Sequence, residues 1–280
     1  MEKIKFAVFI CTHGRPYNQS TLKVLRDCGY TGIIYLVVDD EDNTRYLLED
    51  LFDDNTSRLT FSKQYHIESD DCGTDSPMRN THLYAWNACE KFARDLGFDY
   101  AIIADDDLTG FRYRYEDNNH LKSIPITKNM DKLFNYYIEY MENTNISAIS
   151  VADARNYIGG KANNGRNMNT LVFRKVKDKI VWKSEMYEEM VTSLLAQQTG
   201  KFIFQPTFFQ YDTKTMAKDV TGGMEKIYNS MGILKRSSYV VMFHPSCVQF
   251  DANNTGFKLN KDRAFPKIVS SNVSKSRCKC

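Results

Sequence analysis

A chain of 280 residues, 42% hydrophobic, 26% charged and 13% aromatic, has the make-up of an ordinary soluble protein that can bury a core without disulfides or metal staples. Its 37 Lys and Arg against 35 Asp and Glu leave a net charge of +2, which excludes a highly basic tail-and-patch binder but not a local basic groove. Seventeen Phe, 17 Tyr and two Trp exclude a disordered coil.

In chain order, Phe6-Ala7-Val8-Phe9-Ile10-Cys11 is an unbroken apolar run, the pattern of a strand buried on both faces of a parallel sheet. Thr12-His13-Gly14-Arg15-Pro16 follows as a turn, and a short helix from about Ser20 to Cys28 stops at Gly29. Ile33 to Val38 is a second such strand and runs straight into Asp39-Asp40-Glu41-Asp42. Ala85, Cys89, Phe92, Ala93 and Leu96 share one helical face, predicting a helix from about Asn80 to Leu96 that stops at Gly97. Tyr100 to Ala104 is a third buried strand, and it too ends in acids, Asp105-Asp106-Asp107. Acids at strand C-termini stand where open α/β sheets bind ligands.

Beyond Leu108 the pattern loosens. A helix is expected over Asp131 to Met141 and a strand over Ser147 to Val151. An Asn- and Gly-rich loop over 155–169, carrying Arg155, Lys161 and Arg166, reads equally as packaging or as a lid. A strand over Thr170 to Arg174 and a helix over Glu185 to Thr199, closed by Gly200, follow. With no repeat or linker, the expectation is one α/β domain over 1–265, a central mostly parallel sheet flanked by helices, and a short basic extension over 266–280.

The longest apolar runs fall well below the ~20 residues that span a bilayer, and the start Met1-Glu2-Lys3-Ile4 lacks a signal-peptide pattern. No membrane partner is expected. Seven scattered cysteines without a CxxC pair fit reduced thiols in a cytoplasm. Cys278 and Cys280 read either as a pair or metal site or as part of a frayed tail.

The sharpest feature is the Asp105-Asp106-Asp107 run. After a strand, alternate residues project to the same side, so Asp105 and Asp107 can converge on one cation while Asp106 points elsewhere. Carboxylate oxygens suit Mg²⁺ or Mn²⁺, which then bridge to phosphates. The competing reading is a solvated acidic turn. The second acidic strand end at Asp39-Asp40 weighs towards metal, because clustered carboxylates need a counter-charge.

The ordered series FICTHGRP, LVVDDED, Met78-Arg79-Asn80 and IIADDD resembles the GT-A nucleotide-sugar glycosyltransferases. More narrowly, ICTHGRP with YLVVDDEDN resembles the TET/JBP-associated glycosyltransferases of bacteriophages, thought to glycosylate hydroxymethylated pyrimidines in DNA. The resemblance covers residues 5 to about 110 well and 180 to 250 loosely. It implies a nucleotide-binding half over 1–110 and an acceptor half over 111–265. It also implies that Thr12 and Arg15 line the nucleotide pocket, and that Asp39 and Asp40 accept hydrogen bonds from uracil and ribose. Arg79 would meet the diphosphate at a helix N-terminus, and Asp105 and Asp107 would hold the metal-diphosphate of a UDP-sugar. Blander readings stand beside these: Arg15 pairs with Asp39 or Asp40, and Arg79 with the acidic loop from Ser69 to Asp75.

In the second half, Glu188 and Glu189 follow Trp182, near where inverting members of the fold commonly place a carboxylate base. Helical geometry sets Glu188 at the border of the apolar stripe and Glu189 nearly opposite, which favours Glu188 as base. Acids in a first helical turn also simply meet the dipole. His244, after an expected strand at Val241-Met242-Phe243, is either an extra metal ligand, as in several members of the fold, or a packed core histidine. His13 and His120 carry weaker claims, and His13 can merely structure its turn. Arg112, Tyr113 and Arg114 interleave charge and aromatic rings, and read as a DNA contact or as an amphipathic edge strand. Lys267, Lys275, Arg277 and Lys279 add phosphate contacts or belong to a disordered end.

The leading expectation is therefore a metal-dependent glycosyltransferase acting from a UDP-sugar on hydroxymethylpyrimidine DNA. The alternatives are a GT-A enzyme acting on a glycan or small molecule, and a non-catalytic nucleotide-sugar-binding module. A nucleotidyltransferase is disfavoured because no Gly-rich phosphate loop follows the first strand. The sugar, the stereochemical course and the oligomeric state are not legible.

Overall fold

Along β1 (Phe6–Cys11), Ala7 and Phe9 face one apolar core while Val8 and Ile10 face another, as the two-residue period of a strand requires. The computed structural model describes residues 4–118, 120–157, 167–213, 225–251, 256–260 and 264. Lys161, Arg166, the extension over 266–280 and its Cys278 and Cys280 lie outside the described residues.

The chain runs β1, α1 (Ser20–Asp27), β2 (Ile34–Asp39), β3 (Thr56–Phe61), α2 (Lys63–Ser69), α3 (His82–Asp95) and β4 (Tyr100–Asp105). It continues through β5 (Leu108–Asp117), β6 (His120–Pro125), α4 (Met130–Glu142), β7 (Ile146–Ser150), β8 (Leu171–Lys175) and α5 (Glu188–Gln198). The last elements are β9 (Phe202–Phe204), β10 (Phe209–Thr213), α6 (Glu225–Phe243), β11 (Val248–Asp251) and β12 (Gly256–Leu259). Seven strands form the central sheet in the order β3-β2-β1-β4-β8-β7-β9. The pairs β2·β3, β1·β2, β1·β4 and β7·β9 are parallel, and β8 runs antiparallel to both its neighbours.

Helices cover both faces, which is why β1, β2 and β4 read as continuous apolar runs rather than alternating ones. On one face Leu22, Leu25, Phe134 and Ile138 of α1 and α4 meet Val8, Ile10, Leu36 and Ile102. On the other, Leu83, Trp86 and Cys89 of α3 meet Phe9, Val37 and Ile103. Among the described residues no helix is long and apolar enough to cross a membrane.

Three elements differ from the sequence expectation. Val241-Met242-Phe243 closes α6 and is not a strand, since a short apolar run looks alike in a strand and in a buried helix. Arg112, Tyr113 and Arg114 lie on the middle strand of a second sheet, β10-β5-β6, not on an edge. β3, at the margin of the main sheet, escaped the pattern because Thr56-Ser57-Arg58-Leu59-Thr60-Phe61 is fully buried only at its two ends.

Candidate active site

Cys11 stands level with Val37 on one side and with Asp105 on the other, so the C-terminal ends of β1, β2 and β4 meet at one edge of the sheet. The residues just beyond are Thr12 to Arg15, Asp39 to Asp42 and Asp105 to Asp107. Thr21 of α1 pins the last of these turns: its hydroxyl donates to the Asp105 carbonyl at 2.6 Å and accepts from the Leu108 N–H at 2.9 Å.

Asp106, 4% exposed, turns back towards β1. It accepts the Thr12 hydroxyl at 2.7 Å and Arg15 Nη1 at 3.0 Å. Gln19 completes the knot by donating to Thr12 Oγ1 at 2.7 Å and to the Arg15 carbonyl at 2.9 Å. Arg15 thus pairs with Asp106, not with Asp39 or Asp40. At the end of β2, Asp39 accepts His13 Nδ1 at 2.6 Å and Lys63 Nζ at 3.0 Å. Although burial opposes ionisation, these two partners hold the Asp39 carboxyl down at about 2. Asp40 is exposed and accepts the backbone N–H of Lys63 at 3.0 Å. Arg79 lies outside α3, whose N-cap is Thr81. It pairs with Glu41 rather than with the loop from Ser69 to Asp75.

A second group of acids gathers around Asp105. Burial, then Asp107, Asp106 and Glu188, push the Asp105 carboxyl well above the usual carboxylate range, against a hydrogen bond from Trp86. Both acids of the first turn of α5 belong to this group. Burial is the main cause that pushes Glu188 and Glu189 each up to about 7. His82 opposes it at Glu188, with Nδ1 3.8 Å from Oε1. At Glu189, Asp105 and Asp153 add to it and Arg155 opposes it. Both acids thus couple to Asp105, Glu188 from a buried position and Glu189 from a half-buried one. α5 begins only at Glu188, after Tyr187 in a left-handed conformation (φ 53°). The end of the helix, not one flank, meets the site.

Beside Glu189, Arg155 donates to Asp153 Oδ2 through Nε at 2.8 Å and also through Nη2. Lys63, His82 and Asp153 had no site role by sequence, His13 had only a weaker claim, and Arg155 was placed only in a loop read as packaging or a lid. His13 alone carried a signal, its place just past a strand end; the others reach the edge from distant segments.

The structure does not bring His244 to the aspartates. The ring is 1% exposed and donates Nε2–H to the Val191 carbonyl of α5 at 2.9 Å, and burial keeps it neutral by lowering its pKa. It is a packed core histidine. Arg112 and Arg114 are likewise engaged, with Asp212 at 2.6 Å and with Gln210 at 2.6 Å. Arg114 also stacks 4.4 Å from the Tyr157 ring centre, while Tyr113 is half-buried between them.

Among the described residues no three His, Cys, Asp or Glu side chains form a ready-made metal cage. The donor set nevertheless fits a hard divalent cation. Asp105 and Asp107 offer carboxylate oxygens with no ion-pair partner among the described residues, and burial resists the charge of Asp105. Mg²⁺ or Mn²⁺ held by one or two carboxylates usually completes its shell with substrate phosphates and water.

A family model described as TET-Associated Glycosyltransferase matches residues 6–223. Comparison with curated proteins gives no match. Among solved structures, a mannosyltransferase from Pyrobaculum calidifontis, bound to GDP-Man and Mn²⁺, is 11% identical with a TM-score of 0.50, over 88% of this chain and 64% of that one. Staphylococcus aureus TarS residues 1–349 give 10% identity and a TM-score of 0.43, over 74% and 60%. GalNAc-T7 with UDP, GalNAc and Mn²⁺ gives 9% and 0.44, over 99% and 54%. The chain spans less than two thirds of the length of each. At such identities the likeness concerns the fold, which is that of the GT-A glycosyltransferases.

Proposed function

Because the chain belongs to the TET-associated glycosyltransferase family, we propose that it moves a sugar from a UDP-sugar, with a divalent cation, to the hydroxyl of hydroxymethylated pyrimidines in DNA. The observation that carries glycosyl transfer is the electrostatic coupling, at one sheet edge, of Asp105 and Asp107 with the buried Glu188 and the half-buried Glu189. The DNA acceptor is supported by the family name.

Asp105 and Asp107 would hold the cation, and the chemistry it supplies when bound is charge stabilisation of the departing diphosphate. Thr12 and Arg15, fixed by Asp106, line the nucleotide side together with Asp39, Asp40 and Arg79. In an inverting course, the acceptor oxygen bonds to the anomeric carbon as the bond to the diphosphate oxygen breaks. The hydroxyl proton passes to the Glu189 carboxylate. A carboxyl raised to about 7 is matched to that task at neutral pH. Glu188 lies deeper, with His82 Nδ1 3.8 Å from its Oε1.

A second reading keeps the enzyme and changes the acceptor to a glycan or small molecule. It is favoured by the engagement of Arg112 and Arg114 within their own sheet, which leaves them less available for phosphates. The deciding experiment incubates the protein with Mn²⁺ and a panel of UDP-sugars, with and without hydroxymethylated DNA. Transfer to the modified DNA, abolished in Asp105→Ala with Asp107→Ala, is expected. Transfer surviving the double variant sinks the metal role, transfer to other acceptors alone moves the assignment to the second reading, and nucleotide binding without turnover identifies a binding module.

A further inference from the structure

Asp39 is not a free acceptor. Its Oδ2 is held by His13 at 2.6 Å, and its Oδ1 takes Lys63 Nζ at 3.0 Å and the Glu41 N–H at 3.1 Å. With about four lone-pair positions on a carboxylate, this leaves little for a ligand. The Asp39 side chain is only 5% exposed, whereas the His13 side chain in front of it is 55% exposed. A nucleobase arriving at this edge meets the outer rim of the imidazole, not the carboxylate.

We propose that His13, backed by Asp39 and Lys63, selects the nucleobase of the donor, accepting a carbonyl oxygen on the edge it reads, as in uracil or guanine, and rejecting an amino group there, as in cytosine or adenine. The proposal rests on the reading that a nucleoside diphosphate binds at this edge.

An ionised Asp39 can only accept, so Nδ1–H of His13 donates to it and Nε2 is left for the ligand. In the imidazolium form Nε2–H donates, which matches a carbonyl and opposes an amino group. The Asp39 hydrogen bond raises the pKa of the ring above its ordinary value, and so favours that form. The charged groups facing the ring are Asp39 at the end of β2, Asp42 in the loop beyond it and Lys63 at the start of α2. The two acids favour the proton and Lys63 opposes it. Once the ring is neutral, Nε2 becomes an acceptor and the preference is lost.

The test is calorimetric titration of the full chain, with Mg²⁺, against UDP, CDP, GDP and ADP at about pH 6 and about pH 8.5. UDP and CDP share their diphosphate ionisation, as do GDP and ADP, so each pair's ratio isolates the base. At the lower pH, UDP should bind about tenfold tighter than CDP, and GDP than ADP, the worth of one matched against one opposed hydrogen bond. At the higher pH each ratio should fall below about threefold as Nε2 loses its proton. His13→Gln, whose amide both donates and accepts, should show ratios near one throughout, and Asp39→Asn should move the collapse to lower pH. Should His13→Gln fail to fold, the wild-type pH dependence and Asp39→Asn still decide. Binding of all four nucleotides without discrimination, a preference indifferent to pH, or one that survives His13→Gln overturns this inference alone. Binding of none overturns the nucleotide reading and this inference with it.

Discussion

Glu188→Gln should make the protein more stable above neutral pH, the reverse of what losing a well-paired buried acid does. The side chain is 7% exposed and its nearest basic neighbour, His82, is 3.8 Å away, too far for a hydrogen bond. Burial first, then Glu189, push its carboxyl up to about 7 from the ordinary 4.5, with His82 opposing. A group with its folded pKa above its unfolded value binds more protons in the native state. Its stabilising contribution is therefore complete below 4.5 and is lost as pH rises through about 7. At about 1.4 kcal/mol per pH unit the deficit at alkaline pH approaches ~3 kcal/mol, and relaxation with water reaching the buried carboxylate trims it to about 2. The isosteric amide carries no charge and escapes it. On a chain of this size, ~2 kcal/mol corresponds to roughly 4–8 °C in Tm. Thermal melts in chelator at about pH 5 and about pH 8 measure the difference. The variant should melt higher at alkaline pH, the gap should nearly close in acid, and added Mn²⁺ should shrink it at alkaline pH. A variant melting below wild type at both pH values, or a gap indifferent to pH, refutes the idea of an unneutralised cluster.

Glu189→Gln should lower kcat by about 10²–10⁴-fold with little change in KM, the range for a lost general base; steady-state kinetics showing a KM effect alone would point to substrate binding instead. Across the wild-type profile, kcat/KM should rise with pH up to about 7, the value to which burial pushes this acid, and that limb should vanish in the variant. Asp106→Ala strips both Thr12 and Arg15 of a buried acceptor, so urea unfolding should report a loss of about 2–4 kcal/mol, and a loss under ~0.5 kcal/mol would show that Gln19 holds the turn unaided. For Asp39, held down at about 2 from an ordinary 3.8, stability is present above pH 3.8 and lost as pH falls towards 2. Acid unfolding should therefore cost Asp39→Asn up to about 2 kcal/mol less than wild type over that window.

β1, β2 and β4 could be read from sequence because burial on both faces leaves only apolar residues between two turns, and the acids beyond them mark the ligand edge. Element boundaries drifted by one to three residues, as at α5, which starts at Glu188 instead of Glu185. At α5 the drift moves both carboxylates into the first turn of the helix. A helical wheel orients side chains against a flank, but the first turn of α5 presents its end to the site, and no periodicity reports an end. Lys63 was invisible for another reason. It reaches Asp39 through β3 and α2, the elements with the weakest patterns, so its partner could be known only once the register of Asp39 with Phe61 was fixed. His244 shows the opposite failure. A histidine after an apolar run invites a functional reading, while its use is to satisfy the Val191 carbonyl inside a packed helix pair.

The two sides of the edge differ in how their charge is settled, and that difference supports the proposed place of the cation. On the nucleotide side three acids have basic partners within the chain: Asp39 has His13 and Lys63, Glu41 has Arg79 and Asp106 has Arg15. Their charges are spent before any ligand arrives. Around Asp105 the bases are fewer and stand off: His82 lies beyond hydrogen-bond reach of Glu188, and Arg155 is already committed to Asp153. Four acids that couple electrostatically with so little compensation are held there by the fold, by Thr21 under the 105–108 turn and by the seating of α5. Burying like charges without partners costs stability, and a chain with lysine and arginine at hand on the neighbouring strand end has not placed one here. A divalent cation shared with a diphosphate would settle that charge at the moment of binding, and would join the two halves of the edge across Asp105.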